Sequence, residues 1–247
     1  MTARVRFDFT GTTVLITGGT SGIGHATALL FRAAGADVTV TGTRPSAEEY
    51  GSDLTGMRYR RLVLTDEESI AELVADTSTV DVLINNAGAN FPDGLDERSP
   101  EGFERSVALN LTGTYRLTRM LHERLVASTA PGGASVVNLA SMAALRAVPV
   151  VPGYGAAKAG VISLTRNLAV TWAADGIRVN AVAPGTIRTP MTAPMRPETV
   201  DTELAHIPVG RFGVVEEIAP TIAFLCTEQS AYTTGAVFVV DGASDCI

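Results

Sequence analysis

Short runs of aliphatic and β-branched residues alternate along the chain with longer stretches in which apolar residues recur every three to four positions. The runs at 12–17 (TTVLIT), 37–41 (DVTVT), 80–85 (VDVLIN), 134–140 (ASVVNLA), 177–183 (IRVNAVA) and 236–241 (AVFVVD) read as buried strands. Segments 22–34 and 154–174 read as helices, the second with Ala157, Val161, Leu164, Leu168 and Trp172 on one stripe. Strands that are apolar throughout, each followed by a helix, predict right-handed crossovers. The result is a Rossmann-type, doubly wound parallel sheet in a three-layer α/β/α arrangement. No linker, repeat or low-complexity block interrupts the pattern, so residues 1–247 read as a single domain.

Composition narrows the class. A chain of 247 residues, 46% hydrophobic and 18% charged, has the balance of a globular protein with a large core. Its net charge of −7 and the absence of a basic run argue against a nucleic-acid surface. Cys226 and Cys246 are too few for a disulfide framework and have no metal-ligand spacing around them, which points to a reducing compartment and no metal. Neither a signal peptide nor an apolar stretch long enough to span a membrane is present, so a soluble cytoplasmic location is expected.

In an open α/β sheet, ligands bind beyond the carboxyl ends of the strands, near the point where strand order reverses. The first predicted strand runs into TGGTSGIG (17–24) and then a helix. Gly18, Gly22 and Gly24 permit a tight turn and close backbone approach, and the helix N-terminus favours an anion such as a pyrophosphate. The spacing G-x3-G-x-G differs from the commonest dinucleotide fingerprint, and by itself would also suit an ordinary βα turn. Tyr154 and Lys158, in YGAAK, stand four apart at a helix start and so share a face. A nearby ammonium would lower the pKa of a phenol from its ordinary value near 10, making it a better proton donor and acceptor. Two surface residues meeting by periodicity would look the same. Ser141 follows a strand, where its hydroxyl is either a turn device or a donor to a substrate oxygen.

TGGTSGIG, NNAG (85–88), the asparagine of NLTG (110–113), Ser141, YGAAK and PGTIRTP (184–190) occur in one order and register. From about residue 10 to 243 the chain resembles the one-domain short-chain dehydrogenase/reductase family, and 3-ketoacyl reductase-like members in particular. The resemblance implies roles for individual positions. Tyr154 would be general acid in reduction and base in oxidation, Ser141 would polarise the substrate oxygen, and Lys158 would assist Tyr154 and hold the nicotinamide ribose. Asn110 would anchor a proton-relay water. Gly18, Thr20, Ser21, Gly22, Ile23 and Gly24 would bind cofactor through the glycine turn, and Asn86, Ala87 and Gly88 its adenosine side. Pro184, Gly185, the Ile187 backbone and the Thr189 hydroxyl would hold the nicotinamide.

Cofactor choice is expected at the end of the second strand. Gly42 takes the place of the family's acidic residue, and Thr43 and Arg44 follow, which favours NADP(H) over NAD(H) because Arg accommodates a 2′-phosphate. Ser21 and Val63 depart from the family pattern, in which a basic residue and an Asp are common at these places. The expected activity is interconversion of a ketone and a secondary alcohol on a small, largely apolar substrate. The alternatives are an NAD-preferring alcohol dehydrogenase and a nucleotide-sensing protein without turnover; enoyl reducers commonly space Tyr and Lys more widely. Segment 186–213, with Met191 and Met195, resembles a substrate lid. Phe91 could line the same pocket, and Arg146 could meet an anionic substrate group, an interface or solvent. His25, His122 and His206 have no paired acid or cysteine in the sequence. Asp175, in AADG, disfavours an acidic acyl-carrier protein as the substrate's handle. A homotetramer is implied by the resemblance, through helices near 103–128 and 154–174 and the C-terminal strand.

Overall fold

The computed structural model describes residues 5–246. Seven strands form one sheet: β1 (Thr13–Ile16), β2 (Asp37–Gly42), β3 (Arg58–Arg61), β4 (Val82–Asn85), β5 (Ala134–Leu139), β6 (Ile177–Pro184) and β7 (Val237–Val240). Their order is β3-β2-β1-β4-β5-β6-β7, and every neighbouring pair runs parallel. The helices are α1 (Gly22–Ala33), α2 (Glu67–Ala75), α3 (Pro100–Val107), α4 (Thr114–Met120), α5 (His122–Val126), α6 (Pro152–Trp172), α7 (Pro197–Ala205) and α8 (Val215–Leu225). A π-helical stretch, Ala108–Gly113, joins α3 to α4.

Alternation along each strand sends successive side chains to opposite faces. Ile16 and Val14 therefore enter a core with Phe31 of α1 and Ile218 and Ile222 of α8. Leu15 enters another, with Leu117, Leu125, Leu168 and Trp172 from α4, α5 and α6 and Leu121 at the α4–α5 junction. Each such fully buried Leu or Ile contributes about 1.5–3 kcal/mol relative to exposure. The stripe foreseen on α6 is the face that packs, with Ala157, Val161, Leu168 and Trp172 all buried.

Strand β3, with the sequence RYRR, has no apolar run to reveal it. It lies at the sheet edge, pairs only with β2 and exposes its side chains, so backbone hydrogen bonding rather than burial makes it a strand. His122 also differs from expectation: its Nε2 lies 2.9 Å from Asp175 Oδ2, and its ring packs on Trp172 at 4.7 Å between centroids. The two partners are 53 residues apart and meet only because α5 lies beside the end of α6.

A buried polar chain locks the middle of the sheet to the helices above it. Asn85 donates to Thr118 Oγ1 and to Asn138 Oδ1, both at 2.8 Å, and Asn138 donates to Thr165 Oγ1 at 2.9 Å. These bonds join β4 and β5 to α4 and α6. Unpaired polar groups are costly in a core, so the chain fixes the rotation of both helices.

Candidate active site

Strand order reverses between β2-β1 and β4-β5, and the motifs gather at the carboxyl ends there. Thr17 accepts hydrogen bonds from the N–H groups of Asn86 and Ala87, both at 3.0 Å. Asn86 in return donates to the carbonyls of Thr17 and Gly18, both at 3.0 Å. NNAG is thereby stitched to the glycine turn, with the Asn86 amide nitrogen engaged in that seam. Gly18 has φ +64, and a Cβ there would lie 2.9 Å from Ala87 Cα. A Cβ at Gly24 would overlap the Asn86 amide and the Gly18 carbonyl. At the start of α1, Ser21 makes no side-chain cap and no acid occupies the first turn, leaving backbone N–H groups and the helix dipole for an anionic ligand. Thr189 faces the same spot, its Cγ2 3.4 Å from where a Cβ on Gly22 would be. This is a cradle that fits a dinucleotide pyrophosphate: a bare backbone, a helix N-terminus and no competing side chain.

Asn110 is completely buried within the π-helical stretch. Its Oδ1 accepts from Ala89 N–H at 3.1 Å, and its Nδ2 donates to the Ala89 and Ser106 carbonyls, both at 3.0 Å. The side chain therefore holds the loop after β4 against the α3–α4 connection. Gly88 makes the approach possible, since a Cβ there would be 2.5 Å from Asn110 Oδ1 and 3.5 Å from Lys158 Nζ.

Ser141 ends the β5 connection, where its hydroxyl accepts from Ala143 N–H at 3.1 Å, and it also reaches the Tyr154 phenol. Lys158 is nearly inaccessible (4% exposed), with Nζ donating to the Leu139 carbonyl at 2.6 Å and standing 5.5 Å from the Tyr154 ring centroid. Burial lowers its pKa from 10.5 to about 8. The Tyr154 phenol moves the other way, pushed up to about 12, chiefly by burial, against the Ser141 hydroxyl and with help from Glu97. The anticipated lowering by the ammonium is thus absent here. Desolvation penalises the phenolate, and the Lys158 ammonium directs one N–H at the Leu139 carbonyl while standing off the phenol ring.

At the end of β2, the Tyr50 hydroxyl occupies the volume that a side chain at 42 would need; a Cβ on Gly42 would overlap it. Arg44 N–H donates to that hydroxyl at 2.9 Å, the Arg44 guanidinium lies 5.0 Å over the Tyr50 ring, and it also bonds the Glu49 carbonyl. Tyr50 gave no sign in the sequence, because the loop that folds it back is irregular. Val63 donates its backbone N–H to Ser69 Oγ at 2.9 Å, and its carbonyl accepts from Asp66 N–H at 3.0 Å. Ile187 is buried and pairs with Gly213, while Gly185 packs on Asp241. Arg146 pairs with Glu203 of α7 at 2.6 Å, so its charge is matched within the chain. Thr186 donates to the same carboxylate at 3.1 Å, which ties α7 to the start of segment 186–213 just beyond β6. Phe91 is exposed and has a left-handed backbone, φ +47.

A family model described as "Enoyl-(Acyl carrier protein) reductase" matches residues 18–243. The chain belongs to the short-chain dehydrogenase/reductase family. It is 36% identical over 241 residues to "3-oxoacyl-[acyl-carrier-protein] reductase FabG" of Thermotoga maritima, covering 94% of this chain and 97% of that protein. It is 37% identical over 237 residues to "Cis-4-hydroxycyclohexanecarboxylate dehydrogenase" of Sinomonas cyclohexanicum, covering 92% and 94%. A solved "short chain dehydrogenase/reductase family protein" superposes with a TM-score of 0.84 at 36% identity, covering 98% of this chain and all of that one. As a short-chain dehydrogenase/reductase, the protein is an oxidoreductase acting on CH–OH or C=O groups. Among the described residues no helix is long and apolar enough to cross a membrane.

Proposed function

We propose that this short-chain dehydrogenase/reductase is an NADP(H)-dependent enzyme that interconverts a ketone and a secondary alcohol. The observation that carries the reading is the convergence of Ser141, Tyr154 and Lys158 beside the glycine cradle. When bound, the nicotinamide supplies or accepts the hydride. Tyr154 gives its phenolic proton to the carbonyl oxygen in reduction and takes it back in oxidation. Ser141 donates to the same oxygen as charge develops on it. Lys158, fixed by the Leu139 carbonyl, would hold the nicotinamide ribose and assist Tyr154. Asn110 anchors a proton-relay water from the π-helical stretch, where the local irregularity alters the backbone hydrogen bonding.

Preference for the 2′-phosphate is supported by Gly42 and Tyr50. An acidic residue at 42 is the usual partner of the ribose 2′-hydroxyl, and the Tyr50 hydroxyl already fills its place. Arg44, stacked over Tyr50, supplies the positive charge a phosphate needs. A ketone substrate rather than an enoyl thioester is supported by the four-residue Tyr154–Lys158 spacing and by relatives named for alcohol and oxo substrates. Segment 186–213 is the substrate lid, held by the Arg146–Glu203 pair and the Thr186–Glu203 bond. Exposed Phe103, Tyr115 and Val170 on α3, α4 and α6 suit a homotetramer, which light scattering would test. The test of function is a fluorescence titration with NADPH and NADH, then turnover on ketone, alcohol and enoyl panels. Tighter NADPH binding with ketone reduction is expected; binding without turnover would favour a nucleotide sensor, and enoyl turnover alone would reassign the reaction.

A further inference from the structure

Glu97 lies in the loop sequence GLDERSP, which reads as solvated polar chain. Its neighbours Asp96 and Arg98 do face solvent, where they pair with each other. Glu97 turns inward and is completely inaccessible. Among the described residues it has no cationic partner. Its Oε1 accepts from Phe91 N–H at 2.8 Å and its Oε2 from Tyr154 N–H at 2.6 Å. A buried carboxylate without a cation is costly unless backbone donors meet it, and here they come from two separate elements.

Helix α6 needs such a partner. Its N-cap is Val151, which has no capping atom, Pro152 follows, and no acid occupies the first turn. Tyr154 is the third residue of the helix, so its N–H is one of the donors left without an intrahelical acceptor. Glu97 reaches it from the loop between β4 and α3, with negative charge at the positive end of the helix dipole. Gly153 admits the carboxylate, since a Cβ there would lie 3.1 Å from Glu97 Oε2 and 2.9 Å from Ser106 Cβ. The second oxygen holds Phe91, whose left-handed backbone is unfavourable for a side chain of that size.

We propose that Glu97 is a positioning residue for Tyr154: it caps the catalytic helix from outside, sets where the phenol stands, and fixes the wall of the site that carries Phe91. This rests on the reading of Tyr154 as general acid and base. The charged and polar groups around Tyr154 are the Ser141 hydroxyl from the β5 connection, Lys158 one turn along α6 and the Glu97 carboxylate at its backbone N–H. Ser141 favours the phenolate, whereas Glu97 and burial oppose it. Glu97 therefore acts on Tyr154 in two ways, by geometry and by charge.

Two variants separate these. Glu97→Gln removes the charge and leaves one acceptor; Glu97→Asp keeps the charge and withdraws it by one methylene. In alcohol oxidation, where Tyr154 must lose its proton, the rising limb of the kcat–pH profile should move down on the order of one pH unit in Glu97→Gln. In Glu97→Asp the limb should stay in place while kcat falls roughly 10-fold with KM for the cofactor unchanged. The phenol is also titrated directly by ultraviolet difference absorbance, subtracting Tyr154→Phe, which needs no turnover. A lower phenol midpoint in Glu97→Gln supports the proposal even if the rate profile does not follow, in which case the reading of Tyr154 is what fails. An unmoved midpoint and unchanged kcat in both variants would overturn it. So would loss of the fold in both, which would make Glu97 a residue of the core alone.

Discussion

Replacing Lys158 by Met tests the electrostatics of the site through stability, without any assumption about substrate. The wild-type ammonium is buried and its pKa falls from 10.5 to about 8, so the folded state disfavours its charged form by roughly 3 kcal/mol. Methionine fills similar length without charge. At neutral pH this gain is offset by the Leu139 carbonyl, which loses its donor at a cost of about 1–3 kcal/mol. The net change there is therefore small, and the decisive quantity is the pH dependence. Between about pH 8 and the unfolded-state pKa of 10.5, the unfolded chain keeps the Lys158 proton that the folded chain has released. The unfolded state then binds more protons, and wild-type stability rises with pH through this window. Tyr154 has the opposite effect, because its raised pKa makes stability fall above about pH 10, but it is present in both proteins and cancels in the difference. Urea unfolding of wild type and Lys158→Met should show the wild type gaining roughly 2–3 kcal/mol on the variant from about pH 7 to about pH 10. A flat difference would refute the buried, destabilised ammonium.

Tyr154→Phe should lower kcat by about 10²–10⁴ while the NADPH dissociation constant changes by less than about 2-fold; retained turnover would remove Tyr154 as the proton donor. Gly42→Asp alone should weaken NADPH and NADH alike, because the new side chain collides with Tyr50, whereas Gly42→Asp combined with Tyr50→Ala should recover NADH binding. Isothermal titration of both variants decides this, and equal NADH affinity in the two would show that Tyr50 does not occupy that position. Gly24→Ala inserts a methyl group into the Asn86 amide and the Gly18 carbonyl, and should cost roughly 1–3 kcal/mol of stability and at least about 10-fold in NADPH affinity. Unaltered binding in a thermal-shift titration would mean that the glycine turn is not the cradle.

Backbone pattern was legible wherever burial imposed it. β1, β4, β5 and β6 carry apolar side chains because helices cover both faces, and the period of α6 follows from the stripe ending at Trp172. Edge strand β3 was silent because a strand paired on one side and exposed in its side chains needs no apolar pattern. The site divides in the same way. Gly18, Gly24, Tyr154 and Lys158 stand in local motifs whose spacing has a mechanical reason, so short stretches of chain identify them. Glu97, Tyr50 and the His122–Asp175 pair do not, because each acts on a partner 6 to 57 residues away and its immediate neighbours are ordinary loop or helix.

The sequence by itself determined the layered α/β class, the place of the glycine turn before a helix, and which four side chains stand as candidates for chemistry. The first two depend on periodicity and short-range spacing, which survive in a linear string; the four side chains, Asn110 above all, are assigned through the family resemblance. Only the tertiary structure decided the electrostatic state of those side chains. Whether Lys158 lowers the Tyr154 pKa, or burial raises it, turns on which carbonyl the ammonium meets and how much water reaches the phenol. Those are properties of packing between β5, α6 and the loop that carries Glu97, and elements distant in the chain set them together.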